Sequence, residues 1–196
     1  MHRFLLKTLS ILGLLANAIQ GAAAAPPNLG ADLHGHRIHQ LAGPGVHTVV
    51  LIFAATDCPL SNRYVPEIAR LSGEFSAQGV RFWWVFPNPG DTQPIVVRHI
   101  RDFSIREDAL LDTHQSLVAR AHATTTPEAA VFTVEGNELR EVYNGRIDDR
   151  YLSLGQERPQ AEQHDLEAAV AAALTGKPVP QPGGPPVGCS IVYLPK

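Results

Sequence analysis

Apolar and polar positions divide this chain into blocks of contrasting period. Thr48 to Ala54 is an almost unbroken apolar run, the mark of a strand buried on both faces, and Val80 to Phe86 is a second such run, rich in aromatic residues. Between them Tyr64, Ile68, Leu71 and Phe75 recur at helical spacing, which predicts a helix from Leu60 to near Gly79. Ile95, Val96, His99, Ile100 and Phe103 predict another helix, with Asp91 or Thr92 as its cap and Pro94 in its first turn. A short strand at Ala109-Leu110-Leu111 and a short helix from Gln115 to Ala121 follow. Ala129 to Val134 and a strand through Val142 and Tyr143 flank the turn signal Glu135-Gly136-Asn137, and so read as a hairpin. Leu166, Ala169, Val170, Ala173 and Leu174 line one face of a last helix that Gly176 stops. Upstream, Ala31 to Leu41 alternates around Gly35 as an N-terminal strand or hairpin would.

This order predicts an α/β fold with a mixed central sheet flanked by helices on both faces. The chain shows no internal repeat. One domain is expected over residues 26–176, followed by a tail over 177–196 that is rich in Pro and Gly and has little period of its own. Ahead of the domain, Arg3 and Lys7 precede an apolar stretch from Leu9 to Ile19 and the small-residue run Gly21-Ala22-Ala23-Ala24-Ala25. Residues 1–25 therefore read as a cleaved leader, too short in its apolar part for a membrane span. An exported protein, periplasmic or extracellular, with no stable membrane insertion after cleavage, is the expectation.

Charge narrows the function classes. With 16 Lys and Arg against 19 Asp and Glu, the net charge of −3 offers no basic face for phosphates, so nucleic acid is not an expected partner. A core of this size needs no staple, which turns attention to what the two cysteines, Cys58 and Cys189, do chemically. Cys58 lies in Asp57-Cys58-Pro59-Leu60-Ser61-Asn62-Arg63, directly after a buried strand and at the start of a helix. A thiol there feels the positive end of the helix dipole and unpaired backbone N–H groups, both of which favour thiolate. Asp57 works against ionisation, and Arg63 would oppose Asp57 if it folded back toward the sulfur. Ser61 is placed to cap the helix or to hydrogen-bond the sulfur.

Cys58 and Ser61 occupy the two positions of a C-x-x-C motif; Pro66 follows inside the helix, and Thr126-Pro127 precedes the hairpin. On these features the chain resembles the thioredoxin-like superfamily, most closely its exported redoxin branch, related to the peroxiredoxins and to thiol-disulfide oxidoreductases. The resemblance implies a three-layer thioredoxin-like fold, Cys58 as reactive thiol, and a cis-proline loop at Thr126 and Pro127 that, with Asp57, contacts substrate. It implies protein thiols or disulfides, or small peroxides, as substrates, an electron donor the chain does not identify, and no cofactor. Two departures stand out. Ser61 replaces the second cysteine, so a remote partner is needed, and Cys189 is the candidate, as resolving thiol or as permanent disulfide staple. Ala55 replaces the activating threonine of peroxiredoxins, with Thr56 the neighbouring hydroxyl; disulfide exchange is accordingly preferred over peroxide reduction.

Other readings concern the remaining polar clusters. His34, His36 and His39 read as solvated edge histidines, although copper binding through Cys58 and Cys189 is an alternative, as is a disulfide-stapled interaction module. Gly145 to Arg150 reads as a solvated loop laced with surface ion pairs. Glu128 either faces the site or does not.

Overall fold

A computed structural model of the chain describes residues 27–136 and 138–195. The expected leader and Asn137 of the expected turn lie outside the described residues. The strands and helices run β1 (Ala31–Asp32), β2 (Thr48–Phe53), α1 (Pro59–Phe75), β3 (Val80–Phe86), α2 (Gln93–Asp102), β4 (Asp108–Leu111), α3 (Ser116–Ala121), β5 (Thr125–Thr126), β6 (Glu128–Glu135), β7 (Glu138–Gly145), β8 (Tyr151–Ser153), β9 (Gln156–Glu157), α4 (Asp165–Thr175) and β10 (Cys189–Ser190).

Six strands form the central sheet in the order β1-β4-β3-β2-β6-β7. β2, β3 and β4 are parallel, while β1, β6 and β7 pair antiparallel with their neighbours, so the sheet is mixed as the pattern predicts. Alternation along the strands divides the core. Val50, Ile52 and Trp84 face Ile68, Leu71 and Phe75 of α1, Val96 of α2 and Leu166 and Val170 of α4; Val49, Leu51, Phe53 and Trp83 face Leu117 and Val118 of α3. The result is three layers. Every residue of β2 is buried, which explains its continuous apolar run, and each such Val, Leu, Ile or Phe contributes about 1.5 to 3 kcal/mol by leaving water.

The N-terminal segment turns on itself, with Asp32 N–H donating to His36 O at 2.9 Å, and its strand β1 then closes the sheet edge beside β4. α1 ends one turn before Gly79, whose φ of 81° supplies the left-handed turn into β3. A side chain at Gly79 would also strike the carbonyl oxygen of Gly45, 2.7 Å from a Cβ placed there. α2 is wetter than its apolar pattern predicts: Val96 and His99 are buried, whereas Ile95 and Phe103 are exposed. Its N-cap position is Thr92, without a side-chain cap, and Asp91, the other expected cap, accepts from Thr56 instead.

The segment after the hairpin differs most from expectation. Gly145 to Arg150 is a buried polar node, not a solvated loop. Ile147, Asp148 and Asp149 are buried; Tyr64 Oη donates to Asp148 Oδ1 at 2.5 Å, and Asp149 Oδ1 accepts from the N–H groups of Glu162 and Gln163. Charged residues withdraw from water here because the fold presents donors to each carboxylate, which adjacent sequence does not reveal.

Candidate active site

The turn between β2 and α1 sets Cys58. Cys58 N–H donates to Ala55 O at 3.1 Å, closing a turn, and Cys58 then takes the N-cap position of α1 with extended backbone (φ −88°, ψ 110°). Pro59 suits the first helical position, where an N–H would have no partner in any case. The sulfur thus lies at the positive end of a 17-residue helix, inside the protein: Cys58 is 0% exposed.

Opposite the turn lies β5, joined to β6 by a cis peptide bond between Thr126 and Pro127. Cys58 Sγ donates to Thr126 O at 3.0 Å. Glu128, the first residue of β6, is buried, and its Oε2 accepts from Thr124 N–H (2.8 Å) and Thr125 N–H (3.0 Å). Glu128 therefore braces the loop that carries Thr126 and does not line an open site.

The free edge of β5 is covered by the chain's own tail. β10 pairs antiparallel with β5, Cys189 opposite Thr126 and Ser190 opposite Thr125, and Thr126 Oγ1 donates to Cys189 O at 3.3 Å. With Cys58 Sγ on the Thr126 carbonyl and Cys189 paired with Thr126, the two cysteines are neighbours, and both are free thiols. The proximity has opposite effects on the two. Burial raises the Cys58 pKa, but hydrogen bonds from Cys189, Ser61 and the Thr126 side chain outweigh it and hold this thiol below its ordinary value. Burial, the hydrogen bond to Cys58, its negative charge and that of Asp57 push Cys189 up to about 12. The two thiols are thus shifted in opposite directions, Cys58 down and Cys189 up.

The remaining sequence-derived candidates divide. Ser61 is buried, bonds the Cys58 sulfur, and accepts from Ala55 N–H at 3.4 Å, so it serves both the turn and the thiol. Asp57 is exposed and acts on Cys189. Arg63 is not folded back: its guanidinium is exposed and pairs with Glu157 at 2.7 Å, and the groups that hold Cys58 down do not include it. An exposed arginine gains more from a carboxylate in water's reach than from a sulfur buried behind the helix start. Thr56 is no peroxidatic threonine either, since its hydroxyl donates to Asp91 Oδ1 at 2.5 Å.

Sequence reasoning missed Asp91. Its carboxyl is buried, its Oδ2 has no partner, and burial holds it above the ordinary carboxylate range. It lines a pocket of about 410 Å³ beside the active turn, with Thr56, Asp57, Asn88, Ile95 and Val192. Nothing in the local pattern distinguishes Asp91 from a helix cap. The histidine cluster yields no ligand set: His36 pairs with Asp32 and His39 with Pro27 O, both on the surface. Among the described residues, the group of His, Cys, Asp or Glu side chains with ligand atoms close together is Glu67, His164 and Glu167, which excludes both cysteines and whose two glutamates already pair with Arg70.

No family model and no curated protein matches the chain. Solved structures do. An uncharacterized conserved protein from Geobacillus kaustophilus aligns over 87% of this chain and 91% of its own, with TM-score 0.69 and 24% identity. A hypothetical protein from Sinorhizobium meliloti 1021 aligns over 87% and 95%, with TM-score 0.67 and 23% identity. The MTB protein dsbF, solved in mixed oxidized and reduced forms, aligns over 74% and 92%, with TM-score 0.51 and 22% identity. The sheet order, the cysteine at the start of α1 and these alignments define a thioredoxin-like fold.

Proposed function

We propose that this chain is an exported thiol-disulfide oxidoreductase in which Cys58 is the attacking thiol and Cys189 the resolving one. The observation that carries this reading is the pairing of β10 with β5, which holds Cys189 at the Cys58 sulfur although 131 positions separate them in sequence and Ser61 replaces the local partner. Export rests on the composition of residues 1–25; among the described residues, no helix is long and apolar enough to cross a membrane.

The chemistry requires no group beyond the two thiols and a substrate disulfide. Cys58 thiolate attacks one sulfur of the substrate; that S–S bond breaks, a Cys58–substrate bond forms, and the departing sulfur takes a proton. Once Cys58 is part of a disulfide it carries no charge, which removes one of the effects that keep Cys189 protonated. Cys189 then gives up its proton and attacks Cys58 Sγ. The mixed disulfide breaks, the second substrate thiol leaves with a proton, and a Cys58–Cys189 disulfide remains. Two electrons pass from the pair of thiols to the substrate. An external dithiol returns the pair to the reduced state, its own sulfurs becoming the disulfide.

Thr126 and Pro127 form the substrate edge in this reading, with Asp57 at its exposed rim and Ser61 as a hydrogen-bond donor to the Cys58 sulfur. The test is reduction of a protein disulfide by the wild-type chain, Cys58→Ser and Cys189→Ser. Cys58→Ser is expected to be inactive, and Cys189→Ser to accumulate a mixed disulfide at Cys58, visible by mass. Equal activity in all three removes the reading.

A further inference from the structure

The edge of β5 is occupied along its length, and by a segment that shows how it is held. Gly188 passes so close to Thr126 that a Cβ there would lie 2.0 Å from the carbonyl oxygen, so only glycine fits. Cys189 and Ser190 make the strand pairing. Ile191 is 3% exposed, packs into the core on the α3 face, and its N–H donates to Thr124 O at 3.0 Å. Beyond it, Val192 N–H donates to Asn88 Oδ1 (2.9 Å), Gln115 Nε2 donates to Val192 O (2.7 Å), Leu194 N–H donates to Gln115 Oε1 (2.9 Å) and Tyr193 Oη donates to Ala123 O (2.8 Å). These are the contacts of a bound extended peptide: backbone pairing, a small residue at the tight point and one apolar anchor. Val192 and Tyr193 are nonetheless more than half exposed and Leu194 about two-fifths, and the rest of the strand's hold comes from single hydrogen bonds to side chains and loops.

With this segment in place Cys58 is wholly covered. We propose that residues 188–194 are a built-in peptide ligand occupying the edge an incoming cysteine-bearing segment would pair with, so that Cys58 reaches a protein partner only after this segment leaves. The proposal rests on reading the β5 edge as the substrate edge. It also defines the preferred partner: an extended segment with glycine directly before its cysteine and a branched apolar residue two positions after it, matching Gly188-Cys189-Ser190-Ile191. Return of the tail then displaces the partner's strand and delivers Cys189 to the mixed disulfide in one motion, because both use the same edge.

The full-length chain carrying Cys189→Ser, in which Cys58 is the sole thiol, provides the test. Iodoacetamide alkylation of Cys58 is compared in this protein and after adding Gly188→Val, which cannot fit against Thr126, or Ile191→Asp, which cannot fill the apolar site. Both additions are expected to speed alkylation about tenfold or more, in proportion to the open population. A synthetic peptide of residues 186–195 with serine at 189 is expected to slow it again in the Gly188→Val background, and the same peptide with valine at 188 is not. Unchanged alkylation in folded variants, or equal protection by both peptides, overturns the proposal. The wild-type chain gives an independent reading: amides of Ile191, Val192 and Leu194 should exchange hydrogen together and far faster than those of β2, and equal protection of the two sets also overturns it. None of these readouts involves turnover, so a chain that shows them yet reduces no disulfide keeps the built-in ligand and loses the oxidoreductase reading.

Discussion

Cys58 and Cys189 are the same side chain held in opposite ways. Cys58 is locked by local structure: a fully buried strand ends, a turn closes and a long helix begins at it, so its position survives anything short of unfolding. Cys189 is held by a two-residue strand, one apolar anchor at Ile191 and a few hydrogen bonds that depend on Gln115 and Asn88. The difference teaches how a chain without a local C-x-x-C pair can still bring two thiols together. One is built into the rigid core and its pKa pressed down; the other arrives on a detachable strand with its pKa pushed up.

The contrast is most sharply tested by mutations on each side of it. Ile52→Ala removes a fully buried β2 side chain and is expected to cost about 2 to 5 kcal/mol of global stability in urea denaturation. Ile191→Ala is expected to cost distinctly less in the same experiment, because the strand can detach while the core stays folded. Equal losses would make the tail part of the cooperative core and erase the distinction.

The pH dependence comes next. Cys58 titrates below the ordinary thiol value, and hydrogen bonding from Cys189 is the foremost effect holding it there against burial. Cys189→Ala is therefore expected to move the alkylation profile of Cys58 to higher pH. A thiol whose folded pKa lies below its unfolded one adds stability above the unfolded pKa, and that stability is lost as pH falls through the folded pKa. The variant should accordingly lose part of the rise in stability that wild type shows as pH climbs toward the ordinary thiol value, read from urea midpoints below that value; above it Cys189, pushed up to about 12, contributes with the opposite sign. A profile identical to wild type would show that the two sulfurs do not interact. The smallest effect is expected from Gln115→Ala, which frees Val192 O and Leu194 N–H: about 1 kcal/mol. It should appear as faster hydrogen exchange confined to the tail.

How much of this was legible in the sequence follows from the range of each interaction. The β3 boundaries and the helical face of Tyr64, Ile68, Leu71 and Phe75 agree with the structure because period and side-chain burial are set within a few residues. Cys58 was legible for the same reason, since a strand, a turn and Pro59 are adjacent to it. Arg63 went astray because its partner Glu157 lies 94 positions away, and the Asp148 node because Tyr64 lies 84 away. Asp91 looks like a cap until Thr56, 35 positions upstream, is placed beside it.

The sequence by itself determined the layered α/β architecture and the placement of one thiol at a helix start, because those rest on local period and on the chain's short-range sterics. Only the tertiary structure decided that the aperiodic tail becomes a strand on the Thr125–Thr126 edge and that Cys189 meets Cys58 there. A segment of Pro, Gly and isolated apolar residues carries no period that names its partner. Its conformation is set by the backbone edge, the glycine-sized gap at Thr126 and the apolar site for Ile191, all of which exist only once the rest of the chain has folded.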